Sequence, residues 1–256
     1  VDGPFPAGAR VLVTGAAGGI GREASALLRS RGAVVAAADL DAQAPPGVGD
    51  HYEQIDVTDD ASVERAVSRA GEVMGGLDGL VLSHGTTALG PATGTPMAAV
   101  ETVLAVNLRG AIAVTQAALP MLLARRGRVA VLSSVSGFAP LVHRTAYSAS
   151  KHGLHGYFDS LRAELDGAVS VTIVAPSFVA TGIEHRAAFR AAGGAGAWST
   201  TGEVSTPQTV AAAIVDGMTR RRRLVLPSRT ARLAYVVSRV SPSAYAWTMR
   251  RRVVAD

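Results

Sequence analysis

Short apolar runs alternate with longer stretches of helical periodicity along most of this 256-residue chain. Runs that predict strands lie at residues 10–13, 33–38, 77–82, 128–132 and 169–174, with two shorter ones that end at Ile55 and span 224–226. Between them, apolar side chains recur with the spacing of one helix face. This alternation predicts a single α/β domain, with a mainly parallel sheet of seven strands covered by helices on both faces.

Breaks in the pattern set the helix boundaries. Gly32 ends the first helix, Asp59 or Asp60 caps the second, and the helix over 97–123 is expected to break near Asn107. In a parallel sheet of this kind, ligands bind at the carboxyl ends of the strands. The polar residues considered next all lie at such ends.

A glycine-rich turn directly follows the first strand. Residues 14–21 read Thr-Gly-Ala-Ala-Gly-Gly-Ile-Gly and lead into a helical pattern. Glycines let a ligand approach the backbone, and a helix N-terminus offers free N–H groups. The turn therefore predicts a pyrophosphate site. Its spacing differs from the commoner dinucleotide fingerprint, and glycine-rich turns without ligands also occur.

Asp39 ends the second strand, 24 residues after Gly15. An acidic residue about 20 positions after the glycine turn binds a ribose 2′-hydroxyl in dinucleotide sites, and its carboxylate would repel a 2′-phosphate. No arginine stands at Gly18 or Leu40 to receive that phosphate. These residues favour NAD over NADP. The alternative is that Asp39 only caps a turn.

Tyr147 and Lys151 share one face of a predicted helix, four residues apart. Lys151 is the only lysine in the chain, beside 24 arginines. A tyrosine that acts as a base near neutral pH needs a pKa about 3 units below its usual ~10, and a nearby cation shifts the pKa in that direction. The pair thus indicates a proton-transfer site, with an exposed i,i+4 pair as the alternative.

Composition narrows the class of protein. The chain has no cysteine, no signal-peptide pattern and no unbroken run of about 18 apolar residues. We therefore expect a cytoplasmic protein. The net charge of +5 comes from the tail, because residues 220–256 contain ten arginines and one acid. The remainder is acidic, so the basic balance is no evidence for nucleic-acid binding.

The motifs together resemble the short-chain dehydrogenase/reductase family over residues 8–227, with 228–256 as a basic helical tail. The resemblance rests on motifs that occur in the family's order and spacing: Thr14-Gly15-x-x-x-Gly19-x-Gly21, Asp56-Val57, Asn107, Ser134 and Tyr147-x-x-x-Lys151. It implies a doubly wound Rossmann domain that transfers hydride between a nicotinamide and a carbinol or carbonyl carbon. A homodimer or homotetramer built through the helices of Asn107 and Tyr147 is also implied.

The resemblance also implies roles for individual residues. Tyr147 would exchange the alcohol proton, Ser134 would bind the substrate oxygen, Lys151 would lower the tyrosine pKa and hold the nicotinamide ribose, and Asn107 would position a water beside Lys151. The implied cofactor contacts are Gly15, Gly19, Ile20, Gly21, Asp39, Asp56, Val57, Gly85, Tyr147, Lys151, Pro176 and Thr181. No cluster has the spacing of metal ligands.

Two departures from the family pattern stand out. Leu82-Ser83-His84-Gly85 replaces the usual Asn-Asn-Ala-Gly, so Ser83 and His84 would have to rebuild the bonds of that turn. Pro176-Ser177 replaces Pro-Gly, and the Ser177 side chain is expected to narrow the nicotinamide pocket. His143 lies in the loop between Ser134 and Tyr147 and is a candidate substrate contact, with a solvated loop histidine as the favoured alternative.

The region implied to cover the substrate, about 182–205, is rich in alanine and glycine and includes Ile183, Phe189 and Trp198. With Leu141, Val142 and Phe178 it predicts an apolar alcohol or ketone as substrate. The tail combines arginines with an apolar helical face over 229–240. Packing over the substrate mouth or on a partner subunit is favoured, and contact with an anionic membrane is the alternative.

Three functions remain open. The leading one is NAD-dependent oxidation or reduction of a lipid-like or steroid-like secondary alcohol or ketone. A reductase of 3-oxoacyl thioesters would use the basic tail to meet an acidic carrier, although Asp39 argues against an NADPH-driven step. A catalytically silent NAD-binding regulator is the third, and the intact Ser134, Tyr147 and Lys151 argue against it.

Overall fold

Seven strands form one sheet in the computed structural model, which describes residues 7–191 and 204–254. The strands are β1 (Arg10–Thr14), β2 (Val34–Asp39), β3 (His51–Gln54), β4 (Gly79–Leu82), β6 (Arg128–Leu132), β7 (Ser170–Val174) and β9 (Leu224–Val225). Their order is β3-β2-β1-β4-β6-β7-β9, and every neighbouring pair is parallel. The predicted seven-stranded, doubly wound fold is confirmed. A two-residue pair, β5 (Ala88–Leu89) and β8 (Phe189–Arg190), lies outside this sheet.

Helices cover both faces, and each face has its own core. The helices are α1 (Gly19–Ser30), α2 (Asp60–Met74), α3 (Met97–Leu104), α4 (Gly110–Ala124), α5 (Thr145–Leu165), α6 (Pro207–Thr219), α7 (Arg229–Val240) and α8 (Pro242–Val254). One core joins α2, α4 and α5 to the sheet through residues such as Val67, Val114 and Phe158. The other joins α1 and α6 through Leu28 and Ile214. Burial on both faces explains why the inner strands are continuous apolar runs rather than alternating ones, whereas the edge strand β3 is polar and only partly buried.

The predicted break near Asn107 is a π-helical turn, Ala105–Arg109, between α3 and α4. The continuous segment Met97–Ala124 is the one helix within the described ranges that is long and apolar enough to cross a membrane by length and composition. Core helices of soluble proteins pass the same test, and Val114, Ala118 and Leu122 of this segment are fully buried against the sheet. The segment therefore carries little weight as evidence for a membrane span.

The C-terminal helices return over the carboxyl edge of the sheet. Ser228 caps α7 by accepting a hydrogen bond from the Ala231 N–H (3.1 Å), and its hydroxyl also meets that of Ser177 (2.8 Å). Buried Ala231 packs on Val135 and Ala139 beyond β6. On α8, the Tyr245 hydroxyl donates to the Ala139 carbonyl (2.9 Å). The Ser177 departure thus ties the tail to the turn after β7.

Candidate active site

The glycine turn after β1 is held against the turn after β4. Gly15 has a φ of +69°, and a Cβ there would lie 2.5 Å from the backbone nitrogen of His84. A Cβ on Gly21 would lie 2.2 Å from the Gly15 oxygen. Both positions therefore require glycine, Gly15 for its backbone conformation and for space, and Gly21 for space alone. The result is a tight turn that brings the N-terminus of α1 to the edge of the sheet.

A long groove runs past this turn along the carboxyl edge. No side chain within the described residues caps the first turn of α1, whose N-cap is Gly18, so its N–H groups are available to an anion. One half of the groove has a volume of ≈ 480 Å³, the other ≈ 520 Å³, and both touch Gly15, Gly18 and the 83–85 turn. The predicted cofactor residues that line one or both halves are Gly15, Gly19, Ile20, Gly21, Asp39, Asp56, Val57, Gly85, Tyr147, Lys151 and Thr181.

Asp39 closes one end of the groove. Its carboxylate accepts hydrogen bonds from the Ala17 N–H and the Leu40 N–H, both at 2.8 Å, and so links β2 to the glycine turn. Asp41 lines the same end. Burial, with the charges of Asp39 and Asp41, raises the pKa of the nearby Tyr52. This end of the groove is therefore electronegative.

Ser83 and His84 rebuild the turn that the family makes with two asparagines. The Ser83 hydroxyl donates to the Thr14 carbonyl (2.6 Å), and His84 Nδ1 pairs with the Thr14 hydroxyl (2.6 Å). Burial, reinforced by the charge of Lys151, lowers the pKa of His84 to about 3. The imidazole is therefore neutral at physiological pH and acts as a hydrogen-bonding spacer.

Asn107 is fixed in place by three hydrogen bonds. Its Oδ1 accepts from the Thr86 N–H (2.8 Å), and its Nδ2 donates to the Thr86 carbonyl (2.9 Å) and to the Ser150 hydroxyl (3.0 Å). Ser150 in turn donates to the Tyr147 carbonyl (2.8 Å). The side chain of Asn107 thus connects the π-helical turn to α5 and to the loop beyond Gly85.

Ser134, Tyr147 and Lys151 meet where the groove joins a second cavity. Ser134 is buried after β6, and its hydroxyl lies close enough to the Tyr147 side chain to lower the pKa of the phenol. The Lys151 ammonium lies 5.5 Å from the Tyr147 ring centroid and donates to the Leu132 carbonyl (2.8 Å). Lys151 is only 3% exposed, and burial lowers its pKa to about 8.

The pKa of Tyr147 is raised above 10, opposite to the lowering expected from the sequence. Burial is the largest cause, and Glu184 adds to it, while Arg144 and the Ser134 hydrogen bond act in the opposite direction. A buried phenol resists ionisation because phenolate loses its hydration. The protein alone therefore keeps Tyr147 as a proton donor.

The second cavity, ≈ 310 Å³, is mostly apolar. Leu141, Phe178 and Ile183 line it as predicted, and Pro176 lines this cavity rather than the groove. Val142 and Phe189 are not among its lining residues, and Trp198 lies outside the described residues, as does half of the predicted cover at 182–205. His143 does not line it either; its backbone has a φ of +59° and accepts a hydrogen bond from the Gly90 N–H.

Two further parts of the cavity wall differ in how the sequence marks them: the tail was favoured to pack over the substrate mouth or on a partner subunit, whereas Arg144 was missed. Buried Arg144, the neighbour of His143, faces the cavity with Glu184. Helices α7 and α8 supply a whole side, including Leu233, Val237 and Met249. The apolar stripe on the tail was the available signal for the helices. No comparable signal marked Arg144. No group of three or more histidines or acids that could hold a metal occurs within the described ranges.

Comparison with known proteins decides the family. The family model for short chain dehydrogenases matches residues 9–190. This chain belongs to the short-chain dehydrogenase family. An Anopheles gambiae protein named dehydrogenase/reductase SDR family protein 7-like is 33% identical over 77% of this chain and 64% of its own length. A Drosophila melanogaster protein of the same name is 30% identical over 95% of this chain and 80% of its own.

Other similar proteins extend the comparison. A Mycobacterium bovis protein named probable oxidoreductase EphD is 32% identical over 95% of this chain, but the match spans only 45% of that protein. The ligand-free structure of Thermoplasma acidophilum aldohexose dehydrogenase superposes with a TM-score of 0.75 over 88% of this chain and 94% of that chain. At 21% identity, this likeness shows the shared fold alone.

Members of the short-chain dehydrogenase family are oxidoreductases that use NAD or NADP. The groove fits such a cofactor, since the free helix N-terminus suits a pyrophosphate and the carboxylates at the Asp39 end suit ribose hydroxyls. The other end opens onto Tyr147, Lys151 and Thr181. A dinucleotide in the groove would therefore present its nicotinamide at the entrance to the apolar cavity.

Proposed function

We propose that the protein transfers hydride between NAD and an apolar secondary alcohol or its ketone. One observation carries the proposal: Ser134, Tyr147 and Lys151 converge at the junction of a dinucleotide-sized groove and an apolar cavity. Tyr147 lines both spaces, so one hydroxyl can serve cofactor and substrate together. A binding protein without turnover would not need a buried phenol and a buried ammonium at that point.

The residues divide the proton chemistry among them. When bound, the nicotinamide exchanges the hydride with the carbinol carbon, and its oxidised ring adds positive charge to the site. In reduction Tyr147 donates its proton to the substrate oxygen, which suits its raised pKa. Ser134 hydrogen-bonds the same oxygen. Lys151 has two N–H groups beyond its bond to the Leu132 carbonyl, with which it can hold the ribose and resupply the proton to Tyr147. Asn107 holds α5, the helix that carries Lys151, in position through its bond to Ser150.

NAD is preferred over NADP in this proposal because Asp39 and Asp41 both line the adenosine end. A 2′-phosphate there would meet two carboxylates, and the described residues that line that half of the groove include no arginine or lysine. Charges of like sign within a few ångströms cost several kcal/mol at the effective dielectric of a protein surface. A ribose hydroxyl can donate to Asp39 instead.

The proposal is tested with apolar secondary alcohols and ketones supplied with NAD and NADP in parallel, following absorbance of the reduced cofactor. Tyr147→Phe should lower turnover about a thousandfold, as expected for loss of a general acid. Tyr157→Phe is the matched control, since Tyr157 lies on the same helix and packs on Phe158 away from the groove. Equal activity of Tyr147→Phe and the wild type would refute the assignment and favour the regulator.

We further propose a homo-oligomer built through α4 and α5. In support, α4 is apolar on nearly all sides, and Leu123 is 42% exposed outside the core. Light scattering on the purified chain tests this, with a monomer as the contrary result. Substituting Leu123 by glutamate should weaken the assembly.

The tail is proposed to cover the substrate mouth, because α7 and α8 form one side of the apolar cavity. Membrane contact is retained as a second role, since Val236, Val240 and Trp247 are more than half exposed beside a run of arginines. Sedimentation of the full chain with phosphatidylserine vesicles tests it. Failure to bind at low salt would end the membrane hypothesis.

A further inference from the structure

Arg144 is a buried cation in the wall of an otherwise apolar cavity. Its side chain is 10% exposed, and it precedes the first turn of α5, three residues before Tyr147. Arg144 lowers and Glu184 raises the pKa of Tyr147, so both charges lie within electrostatic reach of the phenol. A guanidinium in this position faces the space in which the substrate would be held.

Among the residues that the structure describes, no hydrogen bond is made by the guanidinium of Arg144. Its closest carboxylate is Glu184, at 3.8 Å from Nη2 to Oε1, which is beyond hydrogen-bond distance. Its guanidinium also lies near the Phe178 ring, 5.9 Å from Cζ to the centroid. By contrast, the guanidinium of Arg10 makes three hydrogen bonds, to Asp78 and Gly75.

A buried guanidinium with five donors and no hydrogen-bonded acceptor destabilises a fold unless something else satisfies it. The nitrogens of Arg144 are not sealed inside the protein but open onto the cavity. Glu184 is more exposed, at 31%, and lies on the short helical turn Ile183–Arg186, from which it can turn toward solvent. Arg144, at 10% exposure, is part of the cavity wall.

We propose that Arg144 binds a carboxylate carried by the substrate, so that the natural substrate is an amphipathic hydroxy acid or oxo acid rather than a neutral alcohol. Planar guanidinium and carboxylate groups form paired hydrogen bonds, which fix orientation as well as add affinity. The apolar body would lie against Phe178 and Leu233, and the carbinol would lie at Ser134 and Tyr147. Because Arg144 is one helical turn from Tyr147, the carboxylate lies within a few bonds of the reacting carbon. This inference rests on the proposed function.

The kinetic test compares a medium-chain 3-hydroxy acid with its methyl ester and uses the ratio of their kcat/KM values. Arg144→Gln should lower that ratio ten- to hundredfold, as expected for a charge-assisted hydrogen bond, and Arg144→Lys should restore part of it. Glu184→Gln should raise the ratio, because it removes the competing carboxylate. Arg69→Gln, at an exposed site on α2, is the control and should leave the ratio unchanged.

The acid-to-ester ratio is expected to fall in Arg144→Gln and to rise in Glu184→Gln, and these opposite changes distinguish substrate binding from a structural role. If Arg144 and Glu184 only stabilise the loop, both substitutions should lower activity toward acid and ester alike, and the inference is refuted. An unchanged ratio in Arg144→Gln also refutes it.

A binding measurement separates this inference from the proposed activity. Octanoate, which has no carbinol to oxidise, should raise the melting temperature of the wild type and of Glu184→Gln but not of Arg144→Gln. That result would support the carboxylate site even if no alcohol were turned over. Turnover of neutral alcohols without any effect of octanoate would overturn the carboxylate site and leave the proposed function standing.

Discussion

Replacing Lys151 by methionine should make the protein more stable near neutral pH while abolishing its activity. The folded protein buries the ammonium and lowers its pKa from 10.5 to about 8. Each unit of pKa corresponds to about 1.4 kcal/mol, so the buried charge costs the fold about 3 kcal/mol below pH 8. Methionine has a similar shape without the charge but leaves the Leu132 carbonyl without its donor, at a cost of about 1 kcal/mol.

The net gain is about 2 kcal/mol, which for a domain of this size raises the melting temperature by about 4–8 °C. The sign of the stability difference between Lys151→Met and the wild type depends on pH. The unfolded chain holds the lysine proton up to its own pKa of 10.5, so the penalty in the wild type is full below pH 8 and disappears as the pH rises toward 10.5. The advantage of Lys151→Met should therefore shrink through that range, and the variant should end slightly less stable than the wild type.

Differential scanning calorimetry at about pH 7, 9 and 10 measures the effect. Arg69→Met removes an exposed cation from α2 and should show no such pH dependence. A Lys151→Met variant that melts below the wild type at neutral pH, or whose advantage does not change with pH, would refute the reasoning. It would mean that the buried ammonium is stabilised by contacts outweighing its desolvation.

Two further predictions concern the groove. Asp39→Ser should raise kcat/KM with NADP relative to NAD at least tenfold, because it removes a charge that would repel the 2′-phosphate; Asp41→Ser should give a smaller shift, and equal shifts would argue against a specific role of Asp39. Gly21→Ala should destabilise the fold by about 1–3 kcal/mol and weaken cofactor binding, since its Cβ would lie 2.2 Å from the Gly15 oxygen. The control is Gly156→Ala on α5, where an added Cβ would meet no atom within 4 Å outside its own helix backbone, so this variant should be neutral or stabilising. Calorimetry measures the two stabilities and titration with NAD measures cofactor binding. A Gly21→Ala variant as stable as Gly156→Ala would contradict the reasoning.

The inner strands β1, β2, β4, β6 and β7 could be predicted because they are buried on both faces and therefore read as apolar runs, whereas the partly exposed edge strands β3 and β9 were predicted only as shorter runs. The groove could be predicted because glycines, Asp39 and the Tyr147–Lys151 spacing are local features of the sequence. Even the rebuilt turn at Ser83 and His84 followed from their positions, since both side chains can hydrogen-bond the strand beside them. In each case the information lies within a few residues.

What could not be predicted depends on contacts between distant segments. The β5–β8 pair joins residues about a hundred positions apart and consists of only two residue pairs. Arg144 stands in the loop before α5 and reads as a solvated arginine; in the fold it is buried beside Phe178 and Glu184, which lie more than thirty residues away in the sequence. The Tyr147 pKa was expected to fall because the sequence shows the neighbouring lysine but not the depth of burial, which raises the pKa.

The scarcity of lysine has a consequence for how this chain can be marked or modified. Apart from the terminal amine, the only primary amine among these 256 residues lies at the junction of groove and cavity, where it is 3% exposed. Acetyl transfer, ubiquitin attachment and amine-directed cross-linking thus have one side-chain acceptor, and acylating it would remove the ammonium from the proposed reaction centre. A single isotopically methylated amine at this position would likewise give one NMR resonance that reports on the site alone.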